Sequence, residues 1–306
     1  MSGRRLLFHR DFRQYTGGHG KVWDYFNHAL ALGWDARVYL TADSRRDVSN
    51  PWMAMPQRIE PQWQPTQADA LFLGGQDWDA VPAGTEDHVP VVNLIQGVRH
   101  ADPALPLHGY LARKAVRICV GQPVADAILA TGRTCGPVQV IPAALELPRD
   151  IAHAAAKTRD VLIAAHKNPQ LGRALAERLR ARGVDVELML DWMPRPDYLR
   201  ALAQARVAVM LPLPAEGFFL PGLEAMALGC AVVMPDAIGN RQYAIDRDNC
   251  LMPAADPDAI AQAVAELLDD VALRTRLVSA AAQVVARHGP AAERAALAAV
   301  LAEIDA

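Results

Sequence analysis

The chain has 306 residues, 52% of them apolar and 21% charged, enough for two ordinary domains and too apolar for a disordered tail or a fibre. Its 31 Lys and Arg against 34 Asp and Glu leave a net charge of -3, so no broad positive field gathers nucleic acid or anionic lipid, and phosphate recognition must be local. Four scattered cysteines, Cys119, Cys135, Cys230 and Cys250, have neither paired nor zinc-type spacing, which points to a reducing, cytoplasmic setting without a structural metal.

The first 20 residues carry Arg4, Arg5, Arg10, Asp11 and Arg13 around a short apolar run, unlike a signal peptide. No apolar stretch is long enough to span a bilayer. The expectation is a soluble protein, at most peripheral to the inner face of a membrane. Short apolar runs then alternate with helical patterns, the mark of parallel sheets covered by helices. Strands are predicted at 6–9, 36–40, 70–73, 90–95, 116–120 and 138–141. The first ends in Tyr15-Thr16-Gly17-Gly18-His19-Gly20, a loop feeding a helix from Lys21 to Leu32 that stops at Gly33; a second helix spans 123–130. Residues 42–67, with Pro51, Pro56, Pro61 and Pro65, read as a long surface excursion. Leu111 to Arg117 reads as a mildly basic helix able to touch anionic lipid or polysaccharide.

The segment 148–159, rich in alanine and charge, is the linker candidate. Beyond it strands are predicted at 161–165, 186–190, 207–211, 231–234 and 250–252, and helices at 169–182, 196–205, 221–228, 257–268 and 272–287. Proline recurs in the first turns, where a missing N–H costs nothing. After Gly289-Pro290 a last helix shows apolar residues at helical spacing, including Ala295, Leu297, Val300, Leu301 and Ile304.

The most informative stretch is Glu216-Gly-Phe-Phe-Leu-Pro-Gly-Leu-Glu224, followed by Ala-Met-Ala-Leu-Gly-Cys-Ala-Val-Val-Met-Pro235. Two carboxylates flank a strand-to-helix junction, where ligands of open α/β sheets bind beside helix N-termini. Taken alone, the pair also fits a solvated loop acid and a carboxylate complementing a helix dipole. Its context resembles the Glu-x7-Glu motif of retaining GT-B glycosyltransferases, specifically family 4, and the likeness continues through Asp236-Ala-Ile-Gly239-Asn240 and Asp248-Asn249. Upstream, Val140-Ile-Pro-Ala-Ala-Leu-Glu146 is similar to the family's junction between domains. The resemblance is strong from about residue 138 to 288 and diffuse before it.

This resemblance implies an α/β GT-B fold of two Rossmann-like domains facing a cleft. Residues 1–147 would form the acceptor side, with helix 290–306 packing back onto it, and 150–288 would bind the nucleotide sugar. It implies that Glu224 binds the nucleotide ribose and Glu216 the donor sugar. Backbone N–H groups of Phe218, Phe219 and Leu220 would lie near the diphosphate, and Gly239 would belong to a sugar-facing glycine loop. The family supplies an Arg and a Lys after the first strand of its C-terminal domain. Here that loop is His166-Lys167-Asn168-Pro169, so only Lys167 is placed to serve, and Arg173 already lies in the helix.

Gly17 and Gly18 resemble the family's Gly-Gly turn near donor diphosphate and acceptor, though a tight turn alone would also use them. After the strand at 90–95, either Gln96 or His100 would face the donor sugar. Asp77-Trp78-Asp79 matches a metal-binding D-x-D string, but the family generally works without a bound metal and no metal is expected. No cofactor beyond the nucleotide-sugar substrate is expected. The expected partners are that donor and a glycan or glycolipid acceptor, with no nucleic acid. The rival readings are a nucleotide-sugar epimerase or hydrolase on the same frame, and a degenerate module that binds a nucleotide sugar without turning it over.

Overall fold

The computed structural model describes residues 3–148, 151 and 156–304. It divides into two compact units, one built from residues 1–143 and 290–306 and the other from 144–289. Of the expected linker 148–159, residues 149, 150 and 152–155 lie outside the described residues, as do the ends of the chain, 1–2 and 305–306.

The first unit is a seven-stranded parallel sheet of order β3-β2-β1-β4-β5-β6-β7. Its strands are β1 (Arg5–Arg10), β2 (Asp35–Leu40), β3 (Ile59–Glu60), β4 (Ala70–Gly74), β5 (Val91–Ile95), β6 (Val116–Cys119) and β7 (Val138–Val140). The run Leu6-Leu7-Phe8 is buried on both faces, as a central parallel strand requires. Phe8 stacks on Phe72 of β4 at 4.7 Å and meets Phe26 edge-on at 5.2 Å. Phe26 lies on α1 (Gly17–Ala31), and Gly33, at φ +87°, turns the chain into β2 where an L side chain would be strained. Helices α2 (Pro106–Tyr110) and α3 (Gln122–Leu129) follow β5 and β6.

Two expectations are corrected in this unit. Helix α1 starts at Gly17, not Lys21, because the Thr16 hydroxyl accepts from the N–H of His19 and caps the turn that the glycines form. Leu111 to Arg117 is not a basic helix. Arg117 lies on β6, is fully buried, and donates to the carbonyls of Tyr110, Leu111, Arg113, Ala115 and Cys135, while Arg113 pairs with Glu86, so neither is offered to a lipid. In the 42–67 excursion, Trp52 is wholly buried against Phe12, Trp23 and Phe26.

The last helix, called α9 here (Pro290–Glu303), closes this unit against α1. Leu297, Val300 and Leu301 are buried as the periodicity predicts, but Ala295 is exposed and Glu293 is buried. Two partners on α1 explain the inversion. Lys21 Nζ lies 3.0 and 3.1 Å from the Glu293 oxygens and 2.8 Å from Asp24, and His28 Nε2 lies 2.9 Å from Glu293.

The second unit is a four-stranded parallel sheet of order β11-β10-β8-β9, made of β8 (Arg159–Ala164), β9 (Val186–Met189), β10 (Ala205–Met210) and β11 (Ala231–Val233). Residues 250–252, expected as a strand, give only isolated bridges, from Leu251 to Val233 and from Cys250 to Asp246. Side chains alternate between two cores. Val161, Ile163, Val207 and Val209 face α4 (Pro169–Ala181) and α7 (Pro257–Asp269), while Leu162, Ala208 and Met210 face α6 (Leu220–Ala227) and part of α8 (Val271–Arg287). Helix α5 (Arg195–Gln204) runs directly into β10. No described helix is long and apolar enough to cross a membrane.

Candidate functional site

In the second unit the carboxyl ends of β8, β9 and β10 feed three loops that carry the polar residues. The sheet order places β8 between β10 and β9. The loop after β8 carries Lys167, the one after β9 leads to Arg195, and the one after β10 carries Glu216 and leads into α6 with Glu224. This is the edge where an open parallel sheet binds ligands.

Two ion pairs organise it. Lys167 Nζ meets Glu216 Oε1 at 2.5 Å, with the lysine side chain 34% and the carboxylate 17% exposed, so the pair is reachable from solvent. The same ammonium lies 5.8 Å from the centre of the Phe219 ring, within cation–π range. Glu224 is buried, and Arg195 Nη1 donates to its Oε1. One turn along α5, the hydroxyl of Tyr198 is buried without a hydrogen-bond partner among the described residues. Burial first, and then the charge of Glu224, drive the Tyr198 phenol well above its ordinary pKa. Beside Lys167, burial and then the lysine's charge push the His166 pKa down.

Lys167 and Glu216 are thus brought together, and Glu224 sits on the same junction. Arg195 was not anticipated; its only sequence signal is the frame Pro194-Arg195-Pro196 at the start of a helix, where the prolines fix the backbone that launches its side chain. The other candidates hold different positions. The N–H of Phe219 donates to the Gly239 carbonyl at 3.0 Å, and that of Leu220 to the Phe218 carbonyl at 3.2 Å. These two groups are therefore engaged within the protein; no such bond takes the N–H of Phe218 among the described residues.

Gly239 is buried behind the turn rather than facing outward. A Cβ there would lie 2.9 Å from Glu216 Cβ, the Glu216 carbonyl oxygen and the Phe219 nitrogen. Since two of these are backbone atoms, Gly239→Ala is expected to cost about 1–3 kcal/mol of stability by overpacking and to displace Glu216. Chemical unfolding with wild-type stability would show that the turn yields freely.

In the first unit His100 is buried, its Nδ1 3.0 Å from the Gly97 carbonyl and its Nε2 without a protein partner among the described residues. Burial pushes its pKa down to about 4. The half-buried residue at the end of β5 is Gln96, whose amide donates to the Gly18 carbonyl at 3.2 Å. Gly17 and Gly18 stand in the first turn of α1 beside it. The D-x-D string is used internally. Asp77 accepts from the Gly74 N–H at 2.8 Å and contacts Arg10 and His9, while Asp79 accepts from the Tyr110 hydroxyl. Among the described residues no group of three His, Cys, Asp or Glu side chains is arranged to hold a metal ion.

Comparison with known proteins bears on the same segment. Residues 127–270 match the family model described as "Glycosyl transferases group 1", while no curated protein matches the sequence. Among solved structures, HepE from Anabaena in complex with UDP and glucose superposes with a TM-score of 0.75 at 14% identity, covering 98% of this chain and 100% of that one. Sucrose-phosphate synthase from Thermosynechococcus elongatus gives 0.69 at 14% identity over 98% and 99%. A glycosyltransferase from Rickettsia africae gives 0.72 at 9% identity over 99% of each chain. Residues 127–270 thus match the pattern of group 1 glycosyltransferases, and the chain has the α/β fold of GT-B glycosyltransferases.

Proposed function

We propose that the protein moves a sugar from a nucleotide diphosphate donor to a hydroxyl of a glycan or glycolipid acceptor, with retention at the anomeric carbon. The second unit takes the donor and the first is assigned the acceptor. The observation that carries this reading is the pairing of both motif carboxylates with cations from neighbouring loops, Lys167 with Glu216 and Arg195 with Glu224. A nucleotide sugar matches both halves of such pairs: its diphosphate attracts the cations, and its ribose and sugar hydroxyls donate to the carboxylates.

In the reaction, the bond from the anomeric carbon to the diphosphate oxygen breaks and one from that carbon to the acceptor oxygen forms. Negative charge grows on the departing diphosphate, where Lys167 stabilises it. The acceptor proton passes to a phosphate oxygen on the same face, so retention needs no protein base. An epimerase or hydrolase would turn over the donor without an acceptor, and a degenerate module would bind it without turnover.

The test is a thermal-shift panel of nucleotide sugars, since a ligand bound only by the folded state raises its apparent stability. UDP heads the panel because HepE was crystallised with it. Glu224→Gln keeps the shape but weakens hydrogen bonds worth about 1.5–3 kcal/mol to a charged acceptor. Nucleotide affinity is expected to fall about 10- to 150-fold by calorimetry. Unchanged affinity would remove Glu224 from the donor site.

A further inference from the structure

The first unit has its own ligand edge. Its chain runs outward through β1, β2 and β3, then returns to place β4 on the other side of β1. The carboxyl ends of β1 and β4 therefore flank a topological switch point, the position where open α/β sheets take ligands. Arg10 ends β1, Gly74 ends β4, and Asp77 follows it.

These residues form a connected set. Arg10 Nη1 donates to Asp77 Oδ2 at 2.8 Å, and the Gly74 N–H donates to the same oxygen at 2.8 Å. Asp77 Oδ1 lies 3.1 Å from His9 Nδ1. On the other side, Arg10 Nη2 lies 3.2 Å from Nδ1 of His19, whose ring packs on Phe12. Arg10 Nε is buried with no partner among the described residues, so the set holds more donors than acceptors.

The chemistry of the partners fixes the protons. A guanidinium carries only donors, so the His19 Nδ1 that faces it must be the acceptor, and the proton of the neutral ring sits on Nε2. A carboxylate only accepts, so His9 donates to Asp77 from Nδ1–H. The Arg10–Asp77 pair thus gives the two Nδ1 atoms opposite roles, acceptor in His19 and donor in His9. Burial, and next the charge of Arg10, push the His19 pKa down to about 4 against the opposing pull of Asp77 and Asp11, which keeps the ring neutral.

We propose that Arg10, anchored on Asp77, is a positioning residue that locks His19 as the Nε2–H tautomer, so that His19 donates a hydrogen bond to a hydroxyl oxygen of a sugar bound at this edge. The identification of the ligand as a sugar rests on the sugar-transfer reading; the tautomer does not. His19 then orients the hydroxyl and takes no proton from it. This gives an uncharged ring beside Gly17 and Gly18 a defined task, which sequence alone did not suggest.

The experiment uses the full chain with 15N-labelled histidine and long-range proton–nitrogen correlation at neutral pH. His19 is expected to show an unprotonated Nδ1 and a protonated Nε2, and Arg10→Met to yield a mixture of tautomers. An Nδ1-protonated His19 in the wild type overturns the lock. UDP-glucose and D-glucose are then added separately. Movement of the Nε2 resonance with the first identifies the donor's sugar as the source of the oxygen, and with the second an acceptor sugar; movement with neither overturns the ligand assignment.

His19→Gln places an amide N–H near the Nε2–H position. Affinity for whichever probe moved the resonance should stay within about threefold, whereas His19→Ala should lose about tenfold. Equal loss in both variants overturns the donor role. Failure here is separable from failure of the wider reading. UDP affinity unmoved by Glu224→Gln would sink the donor site in the second unit while leaving the His19 tautomer as measured.

Discussion

Replacing Lys167 by alanine is expected to lower kcat about 10²- to 10³-fold, the loss found when one preorganised donor to a developing oxyanion is removed. The fold should survive. Its partner Glu216 is within reach of solvent, and such partly exposed pairs contribute only about 0–1 kcal/mol. The loss should fall on kcat and on kcat/KM together, because in the proposed reaction the charge assigned to Lys167 grows as the bond to the diphosphate breaks. Steady-state kinetics decide the matter: a raised donor KM at full kcat would make Lys167 a binding residue without a share in bond breaking. The ion pair with Glu216 adds a condition. Under the proposed function, donor binding would exchange the lysine–carboxylate contact for lysine–phosphate and carboxylate–hydroxyl contacts, so Glu216→Gln should also alter donor affinity.

The largest stability effect is expected at Glu293. Its side chain is 1% exposed and that of Lys21 2%, and removing one partner of a buried ion pair costs about 3–5 kcal/mol because the other charge is left in a poor solvent. Glu293→Ala leaves Lys21 with Asp24 and leaves His28 without the carboxylate that its Nε2 faces. Five of the six tryptophans, Trp23, Trp34, Trp52, Trp63 and Trp78, lie in the first unit, so denaturation followed by fluorescence reads mainly that unit. A shift below about 1 kcal/mol, the range of exposed pairs, would show that α9 docks through its apolar residues alone. Replacing Lys21 and Glu293 together by apolar residues of similar volume should recover much of the loss, since what destabilises is the orphaned charge.

What the sequence made legible was local and periodic. The apolar runs became strands because alternation or continuous burial is written into the run itself, as in Leu6 to Phe8 and Val207 to Val209. The placement of Glu216, Glu224 and Lys167 at strand-to-helix junctions was legible in the same way. The misreadings share a physical cause, which is that the deciding partner lies far along the chain. Arg117 sits among charges spaced like a helix face, yet five carbonyls brought together by the fold take it inside. His100 resembles a loop histidine and is buried. Phe219 looks like a source of free N–H and is engaged by Gly239, 20 residues on. Arg195 escaped notice because nothing near it in sequence announces Glu224, 29 residues away.

The buried contact of Glu293 with Lys21 and His28 joins positions 272 and 265 residues apart, and all of the second unit is strung between them. On the ribosome, where chains grow at about 5–20 residues per second, roughly 15–50 s separate the emergence of Lys21 from that of Glu293. During that interval the nascent first unit has the groove of α1 uncovered and a lysine and a histidine with no carboxylate from α9 to receive them. The inserted second unit, continuous in sequence, can finish folding first. Newly made chains should therefore pass through a stage in which only the later-synthesised unit resists protease, the reverse of the usual order from the N-terminus, and a holding chaperone would have its surface on the first unit rather than the second.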